Sequence, residues 1–236
     1  MEQLKQMSKI ILIETSTALC STALAVDGKV VSSRESEAPR AHAAMTAPFV
    51  KQMLDEQGLL VTDCDAVCVS AGPGSYTGLR VGSSTAKGLC FGAGLPLIAI
   101  GTLDVLAQQA IEDGLVPEGC AAIVPLIDAR RMEVYTATFS PTGERLTEVE
   151  AKVIEQGDFS DLLARGPVVF IGDGAAKCAP VLDAPGARFV QVNPHAGAMA
   201  VPAAKAFAEG KFADTAYFEP FYLKDFVATV SRKNVF

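Results

Sequence analysis

Apolar and polar positions divide the chain into two successive units with the same order of elements. Segments that alternate or run continuously apolar predict strands, and segments with apolar residues every three to four positions predict helices. The predicted strands of the first unit are residues 9–14, 20–26, 29–35, 65–70 and 97–100. Its predicted helices are residues 42–57, 79–93 and 102–113. This order of elements describes an α/β lobe.

The second unit starts the same pattern again in an abbreviated form. Its predicted strands are residues 121–127, 132–139, 145–153 and 168–171, and its predicted helices are residues 159–164 and 196–209. A repeated unit without a long linker indicates two lobes hinged across a cleft. We predict an N-terminal lobe of residues 1–105 and a smaller C-terminal lobe of residues 106–236, whose tail packs back on the lobes.

Charge and hydropathy narrow the expected environment. The 236 residues include 27 acidic and 20 basic side chains, for a net charge of -7, so the surface on average repels nucleic-acid phosphates. Contact with RNA is therefore expected to be local or made by a partner. The segment before residue 9 has no apolar region for a signal peptide, and glycines and a proline interrupt the apolar stretch 88–103. We expect a cytoplasmic protein that does not enter a membrane.

The six cysteines stand mostly in apolar segments and are expected to be reduced core residues. Cys64 and Cys68 are four residues apart around a predicted strand, where side chains at that spacing are too distant to bind one zinc ion. We therefore predict no metal site in this chain.

A glycine-rich segment, residues 71–82, is the densest candidate for chemistry. It lies between a predicted buried strand and a predicted helix. Such a loop can direct backbone N–H groups and a helix N-terminus at an anion. The glycines can equally serve only to let the helix pack closely on the sheet, because the lysine pattern of a Walker loop is missing. Both interpretations stay open at this point.

Continued to Leu89, this segment resembles the signature of the TsaB family. The other segments that resemble the family are residues 11–16, His42 at the start of a helix, and residues 96–100, 128–130, 133–135 and 220–223. The resemblance spans nearly the whole chain. It implies the two-lobed ATPase fold that actin, hexokinase and a class of heat-shock chaperones share.

The resemblance also implies a function. TsaB-like proteins are non-catalytic dimerisation subunits of TsaD-like transferases, which form threonylcarbamoyladenosine beside the anticodon of tRNAs that read codons beginning with A. A TsaE-like ATPase joins the two subunits. ATP is therefore expected to be used by the complex, with no cofactor bound by this chain alone. The chain is expected to meet tRNA only indirectly, through the complex.

Two positions bear on catalysis by this chain itself. TsaD-like catalysts hold a metal ion with two histidines four residues apart, and the resemblance places Thr102 and Leu106 at these positions. Neither side chain offers an imidazole. The only histidines, His42 and His195, are far apart in sequence. The chain is therefore not expected to be an enzyme.

A nucleotide site in this fold requires turns from both lobes. Possible vestigial nucleotide-binding positions are Thr15, Ser16, Gly74, Asp128, Arg130, Gly172 and Gly174. Each of these residues can instead be explained as turn-forming. The short second lobe also leaves little wall against which a base could pack.

The helix at residues 42–57 has two apolar stripes at helical spacing. One stripe comprises Ala43, Ala47, Val50 and Leu54 and is expected to cover the sheet; the other comprises His42, Met45, Phe49 and Met53. We expect this second stripe to bind a partner. The next helix is expected to join it through Arg80, Gly82, Ser83, Ala86 and Lys87.

Together the two helices would pair with those of a TsaD-like subunit in a four-helix bundle, and the same surface would support a weak homodimer. The alternative is that both stripes face internal layers.

Two other functions stay open. One is a self-sufficient ATP-dependent phosphoryl or acyl transferase, with Glu14 or Asp128 beside a nucleotide-bound metal ion. The other is a peptidase, for which neither His42 nor His195 has an evident nucleophile.

Overall fold

The first sheet has five strands in the order β3-β2-β1-β4-β5. The computed structural model describes residues 8–224. The strands are β1 (Lys9–Glu14), β2 (Cys20–Val26), β3 (Lys29–Ser36), β4 (Ala66–Ser70) and β5 (Leu97–Ile100). β1 pairs antiparallel with β2 and parallel with β4. The five strands predicted for this lobe are thus confirmed within one residue at each end.

The second sheet repeats the topology of the first. Its strands are β6 (Ala122–Asp128), β7 (Glu133–Thr136), β8 (Glu150–Val153), β9 (Val168–Ile171) and β10 (Ala187–Val190), in the order β10-β9-β6-β7-β8. When each sheet is numbered from its own first strand, both have the order 3-2-1-4-5. The predicted duplication is therefore confirmed.

Six α-helices flank the sheets of the described chain. They are α1 (Ala41–Glu56), α2 (Tyr76–Ala93), α3 (Thr102–Glu112), α4 (Ser160–Leu163), α5 (Ala175–Cys178) and α6 (Ala200–Ala208). The hydroxyl of Ser75 caps α2 by accepting from the Gly78 N–H at 3.3 Å, and Gly94 ends the helix in a left-handed conformation. None of these helices combines the length and apolar character that crossing a membrane would require.

The first sheet is covered on both faces. Because successive strand residues point to opposite sides, Ile11 and Ile13 pack with residues of α1 and α2, whereas Ile10 and Leu12 pack with residues of α6. The α1 and α2 helices also contact each other. One side of this lobe therefore carries a pair of neighbouring helices whose outer faces point away from the sheet.

The predicted lobe boundary does not match the packing. Helix α3 spans residues 102–112, so a boundary between residues 105 and 106 cuts through it. Val105 packs in the first-lobe core, while Leu103 and Leu106 pack in the second-lobe core. The helix predicted at residues 196–209 was placed in the second lobe, and this was wrong. It is a 3-10 turn, Ala196–Met199, followed by α6, and both pack on the first sheet.

Part of the second lobe was predicted incorrectly. The strands expected at residues 132–139 and 145–153 are shortened to β7 and β8. Between these strands the Thr138 N–H donates to the Thr147 hydroxyl at 2.9 Å instead of to a ladder carbonyl. This side-chain bond is one reason for the shortening, since it competes with strand pairing. Helix α5 and strand β10 were not predicted.

Candidate functional site

The glycine-rich loop is packed against the end of β1. A Cβ atom on Gly74 would lie 2.4 Å from the Ser16 carbonyl oxygen, and one on Gly78 would lie 2.0 Å from the Thr15 carbonyl oxygen. Two hydrogen bonds join the segments: Ser75 N–H donates to the Ser16 carbonyl at 2.6 Å, and the Thr15 hydroxyl donates to the Gly78 carbonyl at 2.8 Å. These contacts favour the interpretation that the glycines serve close packing.

Replacing Gly78 by alanine is expected to lower the free energy of unfolding by about 2 kcal/mol, because the new methyl group overlaps backbone atoms that cannot move aside easily. Gly92→Ala is the matched control in the same helix, since a Cβ there meets nothing within 4 Å. That control should be neutral or stabilise by about 0.5–1 kcal/mol. Urea unfolding of both variants measures the difference. Equal stabilities would contradict the packing role.

A buried carboxyl group lies beneath this loop. Glu14 is fully buried, and its Oε1 accepts from the Ser16 N–H at 2.6 Å and from the Ser70 hydroxyl at 3.0 Å. Its Oε2 has no hydrogen-bond partner within the described residues. Burial raises the pKa of Glu14 from 4.5 to about 7, and the hydrogen bonds with Ser16 and Ser70 only partly oppose this.

Further polar atoms at this edge of the first sheet are also unpaired in the described structure. The hydroxyls of Ser16 and Thr17, directly after β1, and of Thr102, shortly after β5, are buried without a hydrogen-bond partner. β1 and β5 flank β4 and run parallel to it, so these hydroxyls and Glu14 lie at the same carboxyl edge. This is the edge at which open α/β sheets bind ligands.

The possible nucleotide-binding positions of the second lobe are in close contact with other residues of that lobe. Asp128 Oδ1 accepts from the Lys177 ammonium group and from the Arg130 N–H, the latter at 2.7 Å. A Cβ on Gly172 would lie 2.3 Å from the Leu126 carbonyl, and one on Gly174 would lie 3.0 Å from it. These positions are thus occupied by close contacts within the lobe, as they are around Thr15 and Ser16 in the first lobe.

The expected exposure of the second stripe of α1 was wrong. Phe49 is 7% exposed and Met53 is 0% exposed, and both pack within the first lobe. Of the stripe expected to cover the sheet, Val50 and Leu54 are buried, whereas Ala43 and Ala47 are exposed. The reason is apolar area, because burying Phe and Met removes more apolar surface from water than burying two alanines.

The predicted partner residues of α2 also turn inward in part. Gly82, Ser83 and Ala86 are buried. Lys87 is half-buried, and its ammonium group donates to the carbonyls of Ala216 and Phe218 at 3.0 and 3.1 Å. Arg80 is exposed and its guanidinium group stacks 4.2 Å from the centre of the Tyr76 ring. His42 and Met45 of α1 are half-buried.

The exposed surface that the first half of α1 shares with α2 consists largely of small residues. We call it the helix-pair face. Its members are Ala43, Ala44, Ala47 and Pro48 of α1, and Thr77, Arg80, Ser84, Gly88 and Phe91 of α2. Phe91 is 90% exposed, the largest exposure among the large apolar side chains of the described chain. Sequence periodicity missed most of this face because alanine, glycine and serine give no clear stripe.

A C-terminal strap, residues 213–224, runs across the first lobe to the second. Its contacts are those of Ala213 with Leu97, Ala216 and Phe218 with Lys87, Phe221 with Ala71, Tyr222 with Tyr76, and Lys224 with Glu133. The tail therefore packs back as expected up to residue 224, and its remaining residues lie outside the described range.

Thiols and metal ligands add no further site in residues 8–224. The six cysteines are free thiols, and five are buried. Burial raises the pKa of Cys68 well above its ordinary value, with the Glu14 charge as a second cause. Within the described range, no three His, Cys, Asp or Glu residues are arranged to hold a metal ion.

Two duplicated sheets of order 3-2-1-4-5, joined through a shared helix, define the two-lobed actin-like ATPase fold. Residues 29–230 match the family model described as TsaD, tRNA N6-adenosine threonylcarbamoyltransferase. Among curated proteins, TsaB of Escherichia coli K12 is 34% identical over 230 residues, covering 93% of this chain and 96% of that protein. The chain belongs to the TsaB family of tRNA threonylcarbamoyladenosine biosynthesis proteins.

Further relatives agree with this assignment. TsaB of Bacillus subtilis strain 168 is 30% identical, covering 69% of this chain and 70% of its own length. Among solved structures, YeaZ from Pseudomonas aeruginosa superposes with a TM-score of 0.79 at 29% identity, over 92% of this chain and all of that one. A second Pseudomonas aeruginosa structure, of a protein described as similar to the peptidase YeaZ, gives a TM-score of 0.81.

Proposed function

We propose that this chain is the non-catalytic dimerisation subunit that a TsaD-like transferase and a TsaE-like ATPase need to form threonylcarbamoyladenosine on tRNA. The tRNAs would be those that read codons beginning with A. The observation that carries the proposal is the helix-pair face, because it gives the chain a surface suited to a partner of the same fold. Membership of the TsaB family supports a role in threonylcarbamoyladenosine biosynthesis.

The composition of the helix-pair face suits helix packing. Small residues such as Ala47, Ser84 and Gly88 let the backbones of two helices approach closely. Arg80 is the one charged residue among the members named above; further along α1 the exposed Lys51 and Asp55 pair with each other at 2.6 Å. Phe91, at one end of the face, has the size and exposure of an interface anchor. Pairing α1 and α2 with two equivalent helices would bury the face in a four-helix bundle. Arg80 belongs to this face, and the half-buried His42 and Met45 of α1 would add smaller contacts.

A non-catalytic role is supported by the positions that correspond to the metal-binding histidines of TsaD-like enzymes. Thr102 and Leu106 are both fully buried in the described structure. Thr102 N–H donates to the Gly72 carbonyl at 2.9 Å, and Leu106 packs in the second-lobe core. These side chains contribute to packing, and neither can ligate a metal as an imidazole does.

We further propose that ATP is used by the complex and is not bound by this chain alone. The glycines of the loops that would hold phosphates are packed against the chain's own backbone, Gly74 and Gly78 in the first lobe and Gly172 in the second. The Lys177 ammonium group, a possible phosphate ligand, already pairs with Asp128. A nucleotide would have to displace these contacts.

The remaining parts of the proposal concern location and partners. The chain would act in the cytoplasm and meet tRNA through its partner, since its net charge of -7 opposes direct phosphate binding. Without the partner, the helix-pair face would support a weak homodimer about a two-fold axis.

Reconstitution tests the proposal. Modification of tRNA should require this chain together with the TsaD-like and TsaE-like components and ATP, and the purified chain alone should give none. Calorimetric titration of the chain with Mg-ATP should give no saturable heat. Modification by the chain alone, or tight binding of Mg-ATP, would favour the self-sufficient transferase with Glu14 or Asp128 at its centre.

A further inference from the structure

A depression that is open to solvent, with a volume of about 600 Å³, lies away from the helix-pair face, and we call it the cavity. It forms where the residue before β2, the end of β3, helix α3 and the segment after β10 meet. Its polar lining consists of Glu35, Ser36, Glu37, Gln109, Gln191, Asn193 and His195. No lysine or arginine is among the described residues that line it. The cavity therefore combines the carboxylates of two solvent-exposed residues, Glu35 and Glu37, with neutral side chains.

The two carboxylates are held in place by one oxygen each. Glu35 Oε1 accepts from the Ser21 hydroxyl at 3.0 Å, and Glu37 Oε1 accepts from the Asn193 amide at 2.9 Å. The Ser21 hydroxyl also accepts from the Ala196 N–H at 2.9 Å, which fixes its direction. Within residues 8–224 neither glutamate forms an ion pair. Residues two apart in extended chain face the same side, so two uncompensated charges share the cavity.

A second, independent observation concerns the wall formed by α3. Gln109 lines the cavity and is only 4% exposed. Its Nε2 donates to the Asn193 carbonyl at 3.4 Å, but its Oε1 is buried without a donor in the described structure. An unpaired buried amide oxygen is unfavourable. A donor bound in the cavity would satisfy this oxygen if the Gln109 amide turned toward it.

The wall of the cavity also includes the imidazole of His195, which carries no charge when it is neutral. His195 Nδ1 accepts from the Ala198 N–H at 3.3 Å, so the neutral ring carries its hydrogen on Nε2. The groups left for a ligand are thus mainly acceptors, namely the second oxygens of Glu35 and Glu37 and the Gln109 oxygen.

We propose that this cavity binds an organic cation, an alkylammonium or guanidinium group, through Glu35, Glu37 and Gln109. Charge-assisted hydrogen bonds to the two carboxylates would supply the binding energy. Because Glu35 lies in β3 and Gln109 in α3, a bound cation would hold the end of β3 against the helix that both lobes share. The same chemistry is offered by a free polyamine and by a lysine or arginine side chain of another protein.

Calorimetric titration of the full chain at low salt tests the proposal, with spermidine and N-acetyl-arginine amide as separate probes. Saturable binding of at least one probe is expected. Tighter binding of spermidine points to a free polyamine, and the reverse order points to a protein side chain. The double variant Glu35→Gln/Glu37→Gln should weaken binding at least about 10-fold. Glutamine keeps an acceptor oxygen for Ser21 and Asn193, so the fold should persist.

Two further variants make the result decisive. Glu118→Gln/Glu144→Gln removes the same charge at exposed sites outside the cavity and should change binding less than about 2-fold. Gln109→Leu, similar in size, should weaken binding about 3-fold or more and serves if the double variant does not fold. Absence of saturable binding by both probes overturns the proposal. Equal weakening by the two double variants also overturns it, since general attraction to a chain of net charge -7 would then explain the binding.

Discussion

A Gly88→Arg chain is expected to fold normally and to lose its TsaD-like partner. A Cβ at Gly88 meets nothing within 4 Å, and replacing a helical glycine stabilises a helix by roughly 0.5–1 kcal/mol. Buried in a bundle, the unpaired guanidinium group would cost about 3–5 kcal/mol. The dissociation constant should therefore rise more than about 100-fold. Co-purification and tRNA modification in the reconstituted system measure the loss.

Ala208→Arg is the matched control for this prediction. Ala208 is exposed on α6, which packs on the opposite face of the first sheet. The Ala208→Arg substitution adds the same charge as Gly88→Arg and should change the affinity for the partner by less than about 2-fold. Wild-type binding by Gly88→Arg would exclude the helix-pair face as the interface. Phe49→Glu is unsuitable for this purpose, because Phe49 is buried and a charge there would destabilise the fold.

The second large effect concerns Glu14 and pH. Because the pKa of Glu14 is raised from 4.5 to about 7 in the folded chain, folding favours the protonated carboxyl. This contribution to the free energy of unfolding is complete below about pH 4.5 and is lost as pH rises through about 7. The loss amounts to about 3 kcal/mol at most. Glu14→Gln should remove this part of the pH dependence and be more stable than the wild type at about pH 8.

Urea unfolding between about pH 5 and pH 8 measures this effect. Asp104 and Asp173 also have pKa values raised by burial, so they contribute in the same direction. The comparison with Glu14→Gln isolates the Glu14 part, and Asp104→Asn serves as a second carboxyl-to-amide change elsewhere. If wild type and Glu14→Gln have parallel pH profiles, Glu14 is ionised in the folded chain throughout this range.

The first two strands could be predicted from sequence to the residue. β1 is a short apolar run, and β2 is an alternating segment that ends at the Asp27-Gly28 turn. β10 escaped prediction because only Phe189 and Val190 in it have large apolar side chains. The sequence also could not predict which sheet α6 covers, since nothing local in α6 indicates that it packs on the first sheet.

The candidate interface shows a different limit of sequence interpretation. Periodicity identified two apolar stripes on α1, but it could not decide which stripe meets the sheet. The choice depends on how large residues such as Phe49 and Met53 fit against β2 and its neighbours, which is a tertiary property. The role of Gly78 likewise depends on Thr15, 63 positions away in the chain. Both readings of the glycine-rich loop were therefore equally open from sequence.

The position of α6 has a consequence for synthesis on the ribosome. Ala200 and Ala203 complete a core whose other members include Ile10 and Leu12. The ribosome must therefore synthesise the chain as far as α6 before the first sheet is covered on its second face. Until then, one apolar side of that nascent sheet faces water, a condition that invites aggregation or chaperone binding. Premature termination anywhere before residue 196 leaves the earliest strands permanently half-covered.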